Sequence, residues 1–227
     1  MVAMVLMKEH SSRVKNKNHR KMCGRPLFCY ILDTLLSCKL VDDIVVNTDT
    51  ENLKQMVLEY YPDMRVVVRP GYMTREFDEN GRYIFVDILQ WTMDQCPSEE
   101  HFFQVHTTNP HLKADTIDRA IKTYFDNIPE YDSLFGVTEK YIRLFTKDCK
   151  PLCHDSTKME RSQDLEPLYE DVSTIYIFSR DSFSVYNNRI GARPLMFPMS
   201  GIEAIDIDWE EDWLIAEAVM QCSSVAG

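Results

Sequence analysis

Three clusters of polar residues carry the chemical potential of this chain. The stretch Lys8-Glu9-His10-Ser11-Ser12-Arg13-Val14-Lys15-Asn16-Lys17-Asn18 sets four cations among Ser, Asn and His donors, directly after an apolar run. That mixture suits a polyanion such as a nucleoside triphosphate, because positive charge and hydrogen-bond donors arrive together. The Gly-x-x-x-x-Gly-Lys spacing of a P-loop is absent, and on composition alone the stretch also reads as a solvated basic loop. Ala204-Ile205-Asp206-Ile207-Asp208 carries two carboxylates at period two, so on a strand Asp206 and Asp208 share one face. Two hard oxygen ligands side by side suit Mg²⁺ bridging to phosphates; two solvent-facing Asp residues at a strand end are the plainer alternative. Gln104-Val105-His106-Thr107-Thr108-Asn109-Pro110 closes on a turn-favouring Asn-Pro and crowds polar groups at one place. Arg161-Ser162-Gln163-Asp164-Leu165 and Thr48-Asp49 complete the set. Arg161 equally reads as a surface arginine in a salt bridge, and Asp49 as the cap of a helix beginning near Glu51.

The elements that must position these residues alternate. Val2–Met7 is wholly apolar, as a strand covered on both faces should be. Residues 26–38 space their apolar positions as a helix; 43–47 and 65–68 read as strands, and 51–60 as a helix between them. Helical spacing returns over 82–95 and 113–125, with a strand at 102–105. Strands are expected at 133–137, 142–145, 173–178, 195–198 and 204–207, and a last helix at 210–221. This βαβ rhythm predicts an α/β fold: a three-layer, open, mostly parallel sheet with helices on both faces. In such a sheet ligands bind at the carboxyl ends of strands, where the basic loop, Thr48-Asp49 and the 104–110 segment all fall. Residues 139–171 lack sustained periodicity and are expected to leave the sheet as an excursion; no linker divides the chain, so 1–227 reads as one domain.

Composition limits the function. The net charge of −11 disfavours a sequence-independent nucleic-acid binder. The charge is uneven: residues 1–26 hold seven bases against one acid, while 194–227 hold seven acids and neither Lys nor Arg. No run approaches the ~18 apolar residues of a membrane span. The seven scattered cysteines read as reduced thiols, which places the chain in the cytoplasm.

Taken in order, Lys8…Ser11…Lys17-Asn18, Gly24-Arg25-Pro26-Leu27, Arg69-Pro70, Thr108-Asn109-Pro110, Arg161…Gln163-Asp164-Leu165 and Ile205–Asp208 followed by Glu210-Glu211-Asp212 resemble the acylneuraminate cytidylyltransferases and their nonulosonate relatives. The resemblance spans essentially residues 1–218. It implies the nucleotide-diphospho-sugar transferase type of sheet, a homodimer joined through 139–171, and Mg²⁺-dependent joining of CTP to a sugar acid with release of pyrophosphate. It implies a nucleotide site at Lys8, Ser11, Arg13, Lys17, Asn18 and Arg69, and a metal site at Asp206 and Asp208. It implies a sugar-acid site at Gln104, His106, Thr108, Asn109, Arg161 and Gln163, His106 standing where the family usually has Gln. The phosphate loop departs from the family in lacking its glycines. A same-fold enzyme acting on another acid, such as a 3-deoxyoctulosonate or a phosphonate, and a non-catalytic nucleotide- or sugar-binding module are the competing readings.

Overall fold

The central strand explains the architecture. In the computed structural model, which describes residues 1–225, β1 (Val2–Leu6) sends Ala3 and Val5 into one core and Val2 and Met4 into another. A strand with apolar residues at every position has nowhere to lie except between two covered faces. After it, β2 (Lys21–Met22) and β3 (Arg25–Pro26) form a small hairpin, followed by α1 (Leu27–Leu36) and β4 (Asp43–Thr48). Then come α2 (Glu51–Tyr60), β5 (Arg65–Val68), α3 (Phe85–Asp94), β6 (His101–Val105), α4 (Ala114–Asn127) and β7 (Ser133–Lys140). The chain closes with β8 (Leu168–Ser179), α5 (Arg180–Tyr186), β9 (Pro194–Pro198) and α6 (Glu210–Val225). The last two residues of the expected 1–227 domain lie outside the described part.

Seven strands form one sheet in the order β5-β4-β1-β6-β8-β7-β9, and only β8 runs against its neighbours. The expectation of an α/β, mostly parallel sheet therefore holds. One core packs α1, α2 and α4 on one face; the other packs α3 and α5 on the opposite face. The chain moves outward from β1 through β4 to β5, then crosses to β6 on the other side of β1. That reversal opens a crevice at the carboxyl ends of β1 and β6, the usual ligand position in such sheets. A third cluster fastens α6 to the loop after β1: Trp213, 1 % exposed, packs with Val14, Met22, Leu27 and Ile207. Burying an aromatic of that size contributes about 2–3 kcal/mol and ties the acidic C-terminal helix to the basic N-terminal loop.

Four sequence expectations are corrected. Helix α3 begins at Phe85, not residue 82, because Phe77 and Tyr83 bridge across a turn with Gly81 at φ +78° and Arg82 pairs with Asp78. Residues 142–145 form no strand; Phe145 makes a lone bridge to Pro151, with no neighbouring strand to extend it. Residues 204–207 are turn and irregular backbone, held by the Ile207 N–H donating to Thr108 O at 3.0 Å rather than by a ladder. Asp49 does not cap α2: Thr50 does, accepting from Leu53 N at 3.1 Å, while Asp49 accepts the Glu9 N–H at 2.8 Å. Helix α5 was not anticipated; Ser179 caps it and Asn187, at φ 51°, ends it.

Candidate nucleotide site at the switch point

A cleft of about 500 Å³ opens at the predicted crevice, a size that suits a nucleotide. Its walls include Lys8, Ser11, Arg13, Lys17, Asn18 and Arg69, all six residues expected to meet the nucleotide, together with His106 and Thr108. The loop after β1 turns without glycine by placing Asn16 at φ 57°, a conformation Asn tolerates better than most residues. Asn18 then locks the loop: its amide donates to Lys8 O at 2.7 Å and its Oδ1 accepts from Thr107 Oγ1 at 2.6 Å. Loop and strand ends on both sides of the switch point are thereby fixed to one another.

The two ends of the chain meet over this cleft. Arg13 grips Asp208 as a fork, Nη1 to Oδ2 at 2.8 Å and Nη2 to Oδ1 at 2.7 Å. Lys17 Nζ donates to Ile207 O and stands 3.7 Å from Asp208 Oδ1. Arg20 Nη1 donates to both Glu210 carboxylate oxygens, at 2.9 and 2.7 Å, and the guanidinium lies 4.2 Å over the Trp213 ring. Lys8 pairs with Glu76 from the loop before α3. Arg13 and Lys17 with Asp208, and Arg20 with Glu210, thus pair the basic start of the sequence with its acidic end.

Asp206 lies inside this arrangement although no strand carries it. Burial pushes its carboxyl upward, a Thr108 hydrogen bond opposing, and its Oδ1 is buried with no hydrogen-bond partner. Burial likewise lowers the Lys17 ammonium, and the two Asp residues partly offset it. An unpartnered buried carboxylate oxygen beside a second, partly exposed carboxylate fits a hard divalent cation, with substrate phosphates and water completing its shell. No group of three or more His, Cys, Asp or Glu side chains able to hold a metal occurs among the described residues, so a cation here needs the substrate as co-ligand.

Other expected site residues fall elsewhere. Arg69 is buried at the cleft floor, donating to Met73 O at 3.1 Å and Asn47 Oδ1 at 2.8 Å, and braces the ends of β4 and β5. Gln104 does not reach the wall; it is buried on β6 and hydrogen-bonds to Arg189 and His106. Asn109 donates to Ile205 O at 3.2 Å and supports the Asp206 segment from behind. Arg161 and Gln163 stand exposed on the excursion, outside the cleft, with Arg161 forked on Asp164 at 2.7 and 3.0 Å. Sequence reasoning missed Glu76, Tyr83, Phe85 and Arg189. Tyr83 and Phe85 sit in the 82–95 segment, whose apolar residues suggested a longer helix, and Glu76 lies in the loop before it. Arg189 follows Asn187-Asn188, a helix-ending pair that was not read as a stop signal.

His106 stacks on Phe85 at 6.3 Å, and burial, Arg189 and Lys17 together push its pKa down to about 3. In the unfolded chain the ordinary value is near 6.5, so between those values only the unfolded state binds the proton. Stability contributed at this site is therefore lost as pH falls below about 6.5. Comparing melting temperatures of the wild type and His106→Gln from pH 7 to pH 4, the wild type should lose ground to the variant as pH falls.

A doubly wound sheet with a cation-lined cleft at its switch point defines a nucleotide-binding α/β protein. The chain belongs to the cytidylyltransferase family, whose model matches residues 2–206. It is 24% identical over 219 residues to the N-acylneuraminate cytidylyltransferase of Streptococcus agalactiae, covering 94% of this chain and 51% of that protein. The chain thus spans about half the length of the first curated relatives it matches. It is 24% identical over 238 residues to the CMP-N,N'-diacetyllegionaminic acid synthase of Legionella pneumophila, covering 100% of this chain and 98% of that one. In fold it resembles CMP:2-keto-3-deoxy-manno-octonic acid synthetase complexed with CTP, at a TM-score of 0.71, 14% identity and 98% coverage of each chain. The 4-diphosphocytidyl-2C-methyl-D-erythritol synthase of Anaerococcus prevotii gives a TM-score of 0.68 at 14% identity, covering 97% of this chain and 96% of that one.

Proposed function

We propose that this protein joins CTP to a nonulosonic, sialic-acid-like sugar acid, releasing pyrophosphate and forming the CMP-sugar. The observation that carries this reading is the pairing of Arg13 and Lys17, on the cleft wall, with Asp208, and the largely buried Asp206 carboxylate that interacts with all three. Its names come from the relatives: N-acylneuraminate, diacetyllegionaminic acid and pseudaminic acid appear among them. A sugar hydroxyl attacks the α-phosphorus and pyrophosphate leaves, so negative charge spreads over phosphoryl oxygens and catalysis is chiefly positioning and electrostatic stabilisation. Lys8, Arg13 and Lys17 hold the triphosphate, exchanging their present carboxylate partners for phosphate oxygens. Asn18 keeps that loop in register, and Arg69 keeps the cleft floor rigid. Asp206 and Asp208 would hold Mg²⁺, which would supply charge neutralisation for the phosphates and Lewis acidity. His106 and Thr108 face the acceptor side. Pyrophosphate release from CTP with a panel of sugar acids tests the reading.

We place the protein in the cytoplasm, where its seven free cysteines stay reduced and CTP is made; no helix among the described residues is long and apolar enough to cross a membrane. We further infer a homodimer through the excursion, which exposes Tyr141, Leu144, Phe145, Leu152 and Met159 to solvent in the single chain. Apolar side chains concentrated on one projecting element are the mark of an interface. Sedimentation at micromolar concentration should give twice the 26.6 kDa chain mass; a monomer there removes the inference.

A further inference from the structure

Arg189 lies behind the cleft in the loop after α5. Its guanidinium sits 3.4 Å from the Tyr176 ring centroid and 5.3 Å from that of Phe85. Its hydrogen-bond acceptors are neutral: Gln104 Oε1 at 2.5 Å and His106 Nε2 at 3.3 Å. Gln104 Nε2 also reaches His106 Nε2, at 2.9 Å.

These contacts determine where the hydrogens are. A guanidinium has donors only, so the oxygen of the Gln104 amide must face it and the NH₂ must face His106. Both groups that reach His106 Nε2 are then donors, so that nitrogen carries the lone pair and the neutral ring bears its proton on Nδ1. The plane of the ring is fixed independently, stacked at 16° on Phe85, which is itself stacked at 11° on Tyr83. Both Tyr83 and Phe85 line the cleft with His106. Burial and the Arg189 charge keep the imidazole neutral, so it does not act as a cation.

We propose that Arg189 and Gln104 are positioning residues that fix His106 as a neutral Nδ1–H donor, aimed at an acceptor oxygen of the sugar acid. The inference rests on the cytidylyltransferase reading of this cleft and deepens it. The acceptor is an oxygen with a free lone pair, with the carbonyl and carboxylate oxygens of a sugar acid as the candidates, and an ammonium, which offers hydrogens alone, is rejected at that point. Discrimination of this kind follows when a half-buried donor on the cleft wall is left without an acceptor. Arg189 acts on His106 both directly and through the Gln104 amide, and touches no substrate.

Nitrogen-15 NMR of the histidine rings tests the relay without turnover, His106 being assigned by its loss in His106→Gln. At pH 7 the wild type should show Nδ1 protonated and Nε2 bare. Arg189→Met should mix the two tautomers and raise the sugar-acid KM about tenfold, with the CTP KM unchanged. Gln104→Glu sets a carboxylate against Nε2 and should draw the proton there, with the same rise in KM; it serves if Arg189→Met fails to fold. A wild-type ring protonated on Nε2, or on both nitrogens, overturns the inference. So does a sugar-acid KM within twofold of wild type in both variants. A rise confined to N-acylated sugar acids assigns the acceptor to the acyl carbonyl; an equal rise with unacylated 3-deoxy acids assigns it to the carboxylate. If no sugar acid turns over while the Nδ1–H signature stands, the proposed function fails and takes the substrate half of the inference with it, leaving the relay.

Discussion

Asp208→Asn is expected to lower Mg²⁺-dependent pyrophosphate release from CTP by about a thousandfold, about 4 kcal/mol of transition-state stabilisation. The side chain is 38 % exposed and pairs with Arg13 and, at 3.7 Å, Lys17, so the loss of these partly exposed ion pairs should move the melting temperature little. Its backbone N–H still donates to Asp212, at 3.0 Å, so the turn into α6 survives the change. Asn keeps the shape and one oxygen but gives up the charge that a hard cation needs. Steady-state pyrophosphate release at saturating CTP, alongside a melting curve, separates loss of the metal site from loss of fold. Full activity in the variant would remove Asp208 from the metal site.

Lys17→Met carries the second large effect. Lys17 is the most enclosed of the three proposed triphosphate cations, its side chain 12 % exposed and tethered to Ile207 O. A cation already desolvated on the cleft wall is worth far more to a bound phosphate than one in water, so kcat/KM for CTP should fall by about 10²–10³. Stability should hold or rise, because an apolar chain of similar length escapes the cost of burying an ammonium. Activity measured against CTP concentration, with a parallel melting curve, checks both signs together. A variant that is equally active, or that loses activity only because it unfolds, contradicts the role.

The parts of the fold that the sequence disclosed are those in which one periodicity dominates. β1 is apolar throughout because both of its faces are covered, and α2 shows its amphipathic stripe over its whole observed length, Glu51–Tyr60. β5, expected over 65–68, is likewise found as Arg65–Val68. Where tertiary contacts override local pattern, the sequence misled. Ile205 and Ile207 alternate with Asp206 and Asp208 as in a strand, yet this segment finds no ladder and hangs on Thr108 and Asn109. The placement did not depend on the strand: Asp208 still pairs with Arg13 and Lys17 of the basic loop. Gln104 and His106 were singled out through resemblance, but not the hydrogen bonds that join them to Arg189. Those contacts depend on a residue 83 positions from His106, brought there by β8 and α5. Arg161 and Gln163 have the reverse history: conspicuous in sequence, they stand on the excursion outside the cleft of this chain.

The central claim is that one cleft at the β1–β6 switch point carries out cytidylyl transfer to a sugar acid. It is tested most directly by incubating the protein with Mg²⁺, CTP and each member of a panel of nonulosonic and 3-deoxy sugar acids, and measuring both products. Pyrophosphate and CMP-sugar should appear in equal amounts, with at least one nonulosonic acid, and neither should appear without Mg²⁺. No CMP-sugar from any acid in the panel, by a protein that still melts cooperatively, would contradict the claim.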